Sequence, residues 1–465
     1  MKYILVFFVS LLFTSLILTS PFLAIGLFLL IILAIIISKV KIEHCMYFFI
    51  IAYPALPFHA GIDIGYILPV LKIQRVLVAL LIVCWMSKKS FFYVTDSFRR
   101  FSLTIMFMFL VIVYAVSYVL NGNPRSFIFE SGNFLLESFM ITLVFYDVLK
   151  DKSKGRIQKI YLCIAMSCLI PFLLGIVEYV FKYNVFSAIA PYRGDIADFA
   201  DIQLRFGIGR VKGAFPHSID YGVFFALVVP AGLLYLNSQR KEKSKEPFIY
   251  SIIFLIICFF GCYISLSRLS LVVFIISAVV LLAYLNVFRA VLIIILASMF
   301  FLHPYIKSDI KDRATLLMAG TVNSAYSNSE MVGSAHARIR QIKLNSGKFI
   351  ESPFFGYGVS YDPGILDNYY LSLLIRVGLL GLTAYLSFFV LPMVWAFQEL
   401  CKSKNRFSRG ISFTTLVIIF SALLIFSVLS ITHYLYIYFI YLGIFMAMRE
   451  KDIMERKNGY IGNYS

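Results

Sequence analysis

The sequence predicts an all-α polytopic membrane protein of about 14 transmembrane helices, in one domain that spans residues 1–465. Three features carry this prediction: 61% of the residues are hydrophobic, only 14% are charged, and long apolar runs recur along the whole chain. Soluble proteins average about 25% charged residues, so water-soluble globular domains are excluded. A helix needs about 20 apolar residues to cross the hydrocarbon core of a membrane.

Apolar runs of this kind recur from the first residues of the chain to the last. A weaker run, Met46–Pro57, brings their number to about 14. The first run resembles the hydrophobic part of a signal peptide, but it passes without a cleavage site into the second, so an uncleaved helical hairpin is predicted. The long runs are Tyr3–Thr19, Pro21–Ser38, Val70–Met86, Phe101–Leu120, Phe134–Leu149, Ile160–Phe181, Tyr221–Leu236, Phe248–Leu266, Leu269–Leu285, Ala290–Leu302, Tyr369–Phe397, Ile411–Leu429 and Ile431–Met448.

Basic residues outnumber acidic ones, 42 against 24, and the formal net charge is +18. Short basic loops set the orientation of membrane proteins. We therefore interpret the excess of basic residues as an orientation signal, and no nucleic-acid partner is expected. When Met46–Pro57 is counted as a span, every short basic cluster falls on the same side as Lys2, which predicts cytoplasmic termini. The clusters are Lys39/Lys41, Lys88/Lys89/Arg99/Arg100, Lys150/Lys152/Lys154/Arg156, Arg240/Lys241/Lys243/Lys245, Arg289, Lys402/Lys404/Arg406/Arg409 and Arg449/Lys451/Arg456/Lys457.

Two long segments, about 182–216 and 303–368, fall on the predicted outer side. Both contain cations, which orientation rules do not require there, although long loops cross a membrane regardless of charge. In the second segment, apolar residues recur near helical spacing up to Pro353, which predicts a short amphipathic helix on the membrane surface. A solvated basic face is the alternative. The outer loop cations considered below are Arg193, Arg205, Arg210, Lys212, Arg338 and Arg340.

Arg268 joins two apolar runs with no loop between them. An arginine at the membrane boundary either extends to the lipid headgroups or faces a cavity and binds an anion, because its guanidinium suits phosphate oxygens. Arg210, Lys212 and His217 lead from the first outer loop into the next helix, and cations ahead of a helix N-terminus favour a phosphate. Packing on headgroups and a capping role for His217 are the alternatives.

Asp367 and Asn368 stand at the outer start of a long apolar helix. An aspartate there is a favoured N-cap, and an acid beside arginines is also able to accept a proton from a substrate hydroxyl. Two further acids, Glu137 and Glu178, lie inside apolar runs and are expected to form ion pairs within the bundle. Their candidate partners are Arg75 and Arg376.

Several chemistries have no signal in the sequence. The seven cysteines show neither Cys-x-x-Cys nor a Cys–His metal spacing, so neither a disulfide nor a structural metal is expected. No Walker loop is present, so ATP is not expected as an energy source. No Ser-His-Asp order in a suitable context indicates a nucleophilic hydrolase.

Four sequence elements occur in a fixed order between about residues 205 and 385. They are Arg210-x2-Gly213-x-Phe215-x-His217, Ile264-Ser265-Leu266-Ser267-Arg268, Arg338 ahead of Ser352-Pro353-Phe354-Phe355-Gly356-Tyr357-Gly358, and Asp367-Asn368-x9-Gly378-Leu379-Leu380-Gly381-Leu382. Their order and topological placement resemble the O-antigen polymerase/O-antigen ligase superfamily of bacterial polysaccharide assembly. The N-terminal half of the chain resembles that superfamily only in hydropathy and number of spans.

The resemblance implies a metal-independent membrane glycosyltransferase without a cofactor, which acts on glycans carried by undecaprenyl diphosphate. It implies a site at the periplasmic side of the bacterial inner membrane. Arg210 and Arg268 are expected to hold the diphosphate, and Asp367 to orient or deprotonate the acceptor. The expected substrate-binding residues are Arg193, Arg205, Lys212, His217, Arg338, Arg340 and Asn368. Arg193…Gly209 and Arg340…Gly356 also match an Arg-x15-Gly pattern described for the polymerases.

Asp367 favours the polymerase branch, because the ligases typically carry a histidine at the matching position. The expected reaction transfers a growing glycan from undecaprenyl diphosphate to the non-reducing end of a new lipid-linked repeat unit, as in O-antigen, capsule or exopolysaccharide polymerisation. One alternative is a ligase that transfers glycan to lipid A-core or to protein. The alternative from another class is a transporter or flippase of an anionic lipid-linked substrate. Expected partners are the lipid-linked glycans, membrane lipids, a chain-length regulator and a flippase.

Overall fold

A computed structural model of the chain describes residues 39–58, 60–62, 71–89, 91–121, 127, 131–188, 204–205, 208–239, 246–284, 343, 345, 347–358, 361, 366, 368–403, 405–429 and 434–462. These residues are mostly helical, as the sequence predicts. Two short antiparallel strand pairs are also present. In these pairs, β1 (Gly61–Ile62) lies beside β2 (Leu71–Lys72), and β3 (Leu204–Arg205) lies beside β4 (Ile208–Gly209).

Thirteen α-helices are described. They are α1 (Ile42–Ala52), α2 (Ile73–Ser87), α3 (Phe91–Arg100), α4 (Thr104–Asn121), α5 (Ile141–Leu149), α6 (Lys154–Met166), α7 (Leu169–Phe181), α8 (Ser218–Gln239), α9 (Glu246–Ile264), α10 (Arg268–Tyr284), α11 (Tyr369–Lys402), α12 (Arg406–Phe426) and α13 (Leu435–Gly462). A 3-10 turn at Tyr53–Ala55 follows α1, a π-helical segment at Leu135–Met140 precedes α5, and a second 3-10 turn at Val185–Ala188 follows α7.

Six helices in the described part of the chain are long and apolar enough to cross a membrane. They are Thr104–Asn121, Ser131–Leu149, Lys154–Phe181, Ser218–Ser238, Tyr369–Lys402 and Arg406–Phe426. Three shorter apolar helices accompany them, at Ile73–Ser87, Ile249–Ile264 and Arg268–Tyr284. A membrane protein is therefore confirmed, whereas the count of about 14 spans stays a prediction, since the runs at 3–19, 21–38 and 290–302 lie outside the described residues.

Helix α8 is the central element of the bundle. It packs against α6, α9, α10, α12 and α13, and its residues from Tyr221 to Ala231 are buried. A helix that is apolar all round belongs in the middle of a bundle. By contrast, α4 leaves Ile105 and Val119 exposed by 78% and 74%, which suits a helix on the lipid-facing perimeter.

Asp147, at the end of α5, holds several helix ends together. Its carboxylate accepts hydrogen bonds from Trp85 Nε1 at 2.8 Å and Ser97 Oγ at 2.9 Å, and lies 2.9 Å from Lys150 Nζ. These contacts bring the ends of α2, α3 and α5 to one end of the bundle. Hydrogen bonds from three donors compensate the burial of this charge.

Contacts of the last three helices lie at the same end. Arg456 in α13 donates two hydrogen bonds of 2.8 Å to Glu399 in α11, and Lys154 lies over the Phe407 ring, 4.9 Å from its centroid. This end is called the basic end below, because it gathers most of the described basic clusters. They are Lys88/Lys89, Arg99/Arg100, Lys150–Arg156, Arg406–Arg409 and Arg449–Arg456.

The weak apolar run at Met46–Pro57 runs from one end of the bundle to the other. At its start, Glu43 lies 3.0 Å from Lys152 Nζ at the basic end. After α1 and the 3-10 turn, the Phe58 N–H donates to the Ala214 carbonyl at 2.9 Å. The end that holds Ala214 and the rest of segment 210–217 is called the loop end below.

Candidate functional site

Glu178 fixes the loop that carries Arg210 and Lys212. Its buried carboxylate accepts the Gly213 N–H at 2.7 Å and the Lys212 N–H at 3.3 Å. Asn184 Nδ2 donates both to Glu178 Oε2 and to the Gly213 carbonyl, each at 2.9 Å. Two consecutive backbone N–H groups that converge on one carboxylate form an anion nest, and here the protein's own glutamate occupies it. An incoming phosphate therefore meets the side chains of this loop and not these backbone groups.

The backbone conformation of this loop requires a glycine at position 213. Its φ of +56° lies in the left-handed region, where glycine pays no steric penalty. A Cβ at this position would lie 3.1 Å from the ring of Tyr221, and the Tyr221 hydroxyl donates to the Pro171 carbonyl at 3.3 Å. The loop is thus held from Glu178 in α7 on one side and from α8 on the other.

The loop contacts the turn between α9 and α10. The Val211 N–H donates to the Ile264 carbonyl at 3.2 Å, and Arg210 Nε donates to the Ser265 carbonyl at 3.3 Å. Arg268 is the first residue of α10 and so follows directly on this turn. Both arginines are partly exposed. The structure therefore brings the two predicted diphosphate-binding residues to one place at the loop end.

Serine side chains hold the turn ahead of Arg268 in shape. Leu266 adopts a φ of +49°, a conformation that a bulky residue takes only under constraint. The Ser267 N–H donates to Ser265 Oγ at 3.2 Å, and Ser270 Oγ donates to the Ser267 carbonyl at 2.9 Å. The serines of the Ser-Leu-Ser-Arg-Leu-Ser sequence therefore have a structural role, which is to orient the start of α10.

His217 caps α8. Its Nδ1 accepts the Ile219 N–H at 3.1 Å, and its carbonyl accepts the Tyr221 N–H at 3.2 Å. This is the capping role that the sequence left open. Lys212 is partly exposed on the same loop. Substrate binding by either side chain stays a prediction.

Asn368, and not Asp367, is the N-cap of α11. Its Oδ1 accepts the Leu371 N–H at 3.0 Å, while its Nδ2 donates to the Ser427 carbonyl at 3.1 Å. The capping interpretation of Asp367 is thereby replaced, because the following residue occupies that role. Asn368 also ties the start of α11 to the end of α12.

A break in α11 was not predicted. Gly378 has φ +66° and ψ −168°, and the helix continues on both sides of it. The Leu379 N–H donates to the Pro353 carbonyl at 2.8 Å, and the Gly358 N–H donates to the Arg376 carbonyl at 2.9 Å. Segment 353–358 therefore satisfies the backbone groups that the break leaves open, as irregular backbone near a membrane requires.

The break lies towards the loop end of α11. The part from Leu379 to Lys402 is about 36 Å long at about 1.5 Å per residue, which is enough to cross the hydrocarbon core by itself. The Asn368 side chain, ahead of α11, donates to the Ser427 carbonyl.

A second charged group lies at the loop end, in the N-terminal half. Arg75 Nε donates to Glu137 Oε1 at 2.7 Å, which confirms one of the predicted ion pairs. Glu137 stands in the π-helical segment ahead of α5. The other predicted pair does not form: Glu178 binds the backbone of segment 212–213 instead.

The remaining predicted site residues lie outside what the structure describes. Arg193, Arg338, Arg340 and Asp367 fall between the described ranges, and only the backbone of Arg205 is described, in β3. In the predicted surface helix, residues 347–351 are helical, with Ile350 exposed by 76%. The residues that sequence reasoning missed are Glu178 as a loop anchor and Gly378 as a break. The signal for the first was an acid inside an apolar run.

The chain matches no family model, and no curated protein matches it. The function proposed next therefore depends on the sequence elements and on the geometry of the loop end.

Proposed function

We propose that the protein is a membrane glycosyltransferase that polymerises lipid-linked oligosaccharide repeat units. It transfers the growing glycan from undecaprenyl diphosphate to the non-reducing end of a new lipid-linked unit. The observation that carries the proposal is the contact between segments 210–211 and 264–265, which joins the loop of Arg210 to the turn of Arg268. Two arginines on one rigid support match the several oxygens of a diphosphate.

The distribution of charge supports the same proposal. Arg210, Lys212 and Arg268 lie at the loop end, opposite the basic end where α2, α3, α5 and α11–α13 gather their cations. Short basic loops mark the cytoplasmic side, so we assign the basic end and both termini to the cytoplasm. The loop end then faces the periplasm at the inner membrane of a bacterium, with about 14 spans in the whole chain. The rules of membrane orientation do not require cations on that side, whereas the binding of an anionic substrate does.

The chemistry follows from the charge that develops at the leaving group. As the bond between the anomeric carbon and the diphosphate breaks, negative charge grows on the diphosphate oxygens. Arginines already in place stabilise this charge without reorganisation. Asn368 and Asp367 at the start of α11 orient the acceptor hydroxyl. The expected partners are the two lipid-linked glycans, the surrounding lipids, a flippase that supplies the units and a regulator of chain length.

The rivals differ in product and in mechanism. A ligase would use the same diphosphate site and deliver the glycan to lipid A-core or to a protein. A transporter is the rival of another class, and a broken helix such as α11 is one feature it shares. In α11, however, the groups freed at Gly378 bind segment 353–358, whereas a transporter uses such groups to bind its substrate or coupling ion. This difference favours the enzyme.

The test compares two arginines that each begin a helix. Arg268 is the first residue of α10 at the loop end, and Arg406 is the first residue of α12 at the basic end. Arg268→Ala is expected to abolish long chains in a gel of the lipid-linked glycan, because one lost contact to the developing charge lowers a rate about 100-fold. Arg406→Ala is expected to leave the ladder intact. A normal ladder from Arg268→Ala, at normal protein level, would overturn the proposal.

A further inference from the structure

Two thiols lie in direct contact between α1 and α2. Cys45 belongs to the first turn of α1 and Cys84 to the last turn of α2, and their sulfur atoms are 3.1 Å apart. Both are free thiols in the structure. A disulfide bond measures about 2.05 Å, so a further approach of about 1 Å would convert this contact into a bond. The sequence gives no signal for the pair, because 39 positions separate the two cysteines.

The pair lies at the basic end, and its two members differ in access to solvent. Close to Cys45 in the same helix turn, Glu43 lies 3.0 Å from Lys152 Nζ, and the neighbouring His44 is exposed. Cys45 is partly exposed, whereas Cys84 is 0% exposed. An accessible cysteine beside a second one that completes the disulfide is the usual arrangement of a redox-sensing pair.

The other described cysteines lack this combination of contact and access. Cys168 and Cys262 are fully buried, and their thiols donate to backbone carbonyls at 3.0 Å and 3.3 Å. Cys258 interacts with Cys168 but is fully buried as well. Cys401 is exposed and Cys163 partly exposed, and neither contacts another cysteine in the described part of the chain. A water-soluble reagent therefore reaches a pair of touching thiols at Cys45 and Cys84.

A bond at this position would close the open end of a helical hairpin. Near the loop end, strands β1 and β2 already join α1 to α2, and Gln74 Nε2 donates to the Leu56 carbonyl at 3.0 Å. The sulfur contact joins the opposite ends of the same two helices. Oxidation would therefore fix α1 to α2 at both ends, without a link to any other helix.

We propose that Cys45 and Cys84 form a reversible disulfide in response to oxidants at the basic end. With a low-molecular-weight disulfide as the oxidant, the Cys45 thiolate attacks one sulfur of the reagent, the S–S bond of the reagent breaks, and one thiolate leaves. Cys84, after loss of its proton, attacks the Cys45 sulfur, and the second thiolate leaves. Two protein thiols are oxidised, one reagent disulfide is reduced, and the two protons pass to the released thiolates.

The orientation proposed above sets the resting state of the pair. If the basic end faces the cytoplasm, the two thiols are reduced at rest, because that compartment keeps thiols reduced and its disulfides are mostly transient. The bond then forms only when the surroundings become oxidising. The pair is separate from the loop end, so its chemistry does not depend on the reaction catalysed there.

The test uses the purified full-length protein with Cys401→Ser, which removes the exposed thiol. Excess oxidised glutathione is expected to cost this protein two free thiols and to give a linked Cys45–Cys84 peptide in mass spectrometry of a digest made without reductant. Excess reduced glutathione is expected to remove the link. Adding Cys84→Ser is expected to stop the reaction at one glutathione on Cys45. Adding Cys163→Ser is the matched control, since Cys163 is also partly exposed, and the linked peptide is expected to persist.

The contrary results are equally specific. Free thiols at Cys45 and Cys84 after oxidation would overturn the proposal, and so would a glutathione that stays on Cys45 while Cys84 is present. A link that survives excess reduced glutathione would overturn the reversible role by showing a permanent cross-link. The linked peptide is read without any change at either cysteine, so the test stands even if Cys84→Ser does not fold. Chain extension is measured separately, so neither result decides the proposed function.

Discussion

The Glu178 carboxylate accepts the Gly213 N–H at 2.7 Å, and this bond connects the transmembrane helix α7 to the loop of Arg210. Glu178→Gln removes the charge and leaves one of the converging backbone donors without an acceptor. We expect the free energy of unfolding to fall by about 1–3 kcal/mol, and chain extension to fall because Arg210 and Lys212 lose their support. Thermal unfolding in detergent and the gel ladder measure the two effects.

Glu137→Gln is the matched control for this prediction, since Glu137 is the other acid that interrupts an apolar run at the loop end. It pairs with Arg75 and does not contact segment 210–217 in the described structure. Its ladder is expected to be affected less than that of Glu178→Gln at equal protein level. Equal ladders from the two variants would show that Glu178 does not position the loop.

Gly378 is the second position where a small change has a large expected effect. A Cβ there would lie 2.2 Å from the Phe354 carbonyl oxygen, and the residue has a φ of +66°. Gly378→Ala is expected to destabilise the protein by at least about 1–3 kcal/mol from backbone strain alone. Gly155→Ala is the control, because nothing lies within 4 Å of its Cβ position, and alanine is the better helix former. A Gly378→Ala Tm equal to that of Gly155→Ala would contradict the described break.

How far the sequence predicts the structure depends on how local each feature is. Helical membrane spans and the Arg75–Glu137 pair follow from hydropathy and charge, and the structure bears both out. The break in α11 depends on segment 353–358, which lies some twenty residues earlier in the chain, and no local pattern in Val377–Leu379 indicates it. Glu178 was recognisable as a buried acid, but a backbone partner leaves no charge signal in the sequence.

A comparison of Asn368 with Asn405 distinguishes a role in the acceptor site from helix capping alone. Both are N-caps, with Oδ1 accepting the N–H of Leu371 and of Phe407 respectively, each at 3.0 Å. Alanine at either position is expected to lower stability by about 1 kcal/mol. Only Asn368→Ala, at the loop end, is expected to reduce chain extension beyond that common effect. A similar ladder from the two variants would remove Asn368 from the acceptor site.

Acid is expected to weaken the basic end through Glu43. Burial raises the pKa of this carboxyl, but the hydrogen bond from Lys152 and the attraction of Lys152 and Arg156 outweigh burial and hold the pKa below its ordinary value of 4.5. A lowered carboxyl pKa contributes stability above the unfolded-state pKa, and that contribution is lost as the pH falls through the folded-state pKa. The stability difference between wild type and Glu43→Gln should therefore be complete at neutral pH, shrink as the pH falls below 4.5 and be lost only below the lowered folded-state pKa. Denaturant unfolding across that range measures it, and a difference that persists in acid would contradict the assignment.

The most direct test of the central claim is reconstitution of the purified protein with a repeat unit on undecaprenyl diphosphate as its only glycan. A polymerase that holds the diphosphate at Arg210 and Arg268 converts this single substrate into a ladder of longer lipid-linked chains, and Arg268→Ala does not. A wild-type protein that leaves the unit unextended, or that transfers it only when lipid A-core or a protein acceptor is added, would contradict the account.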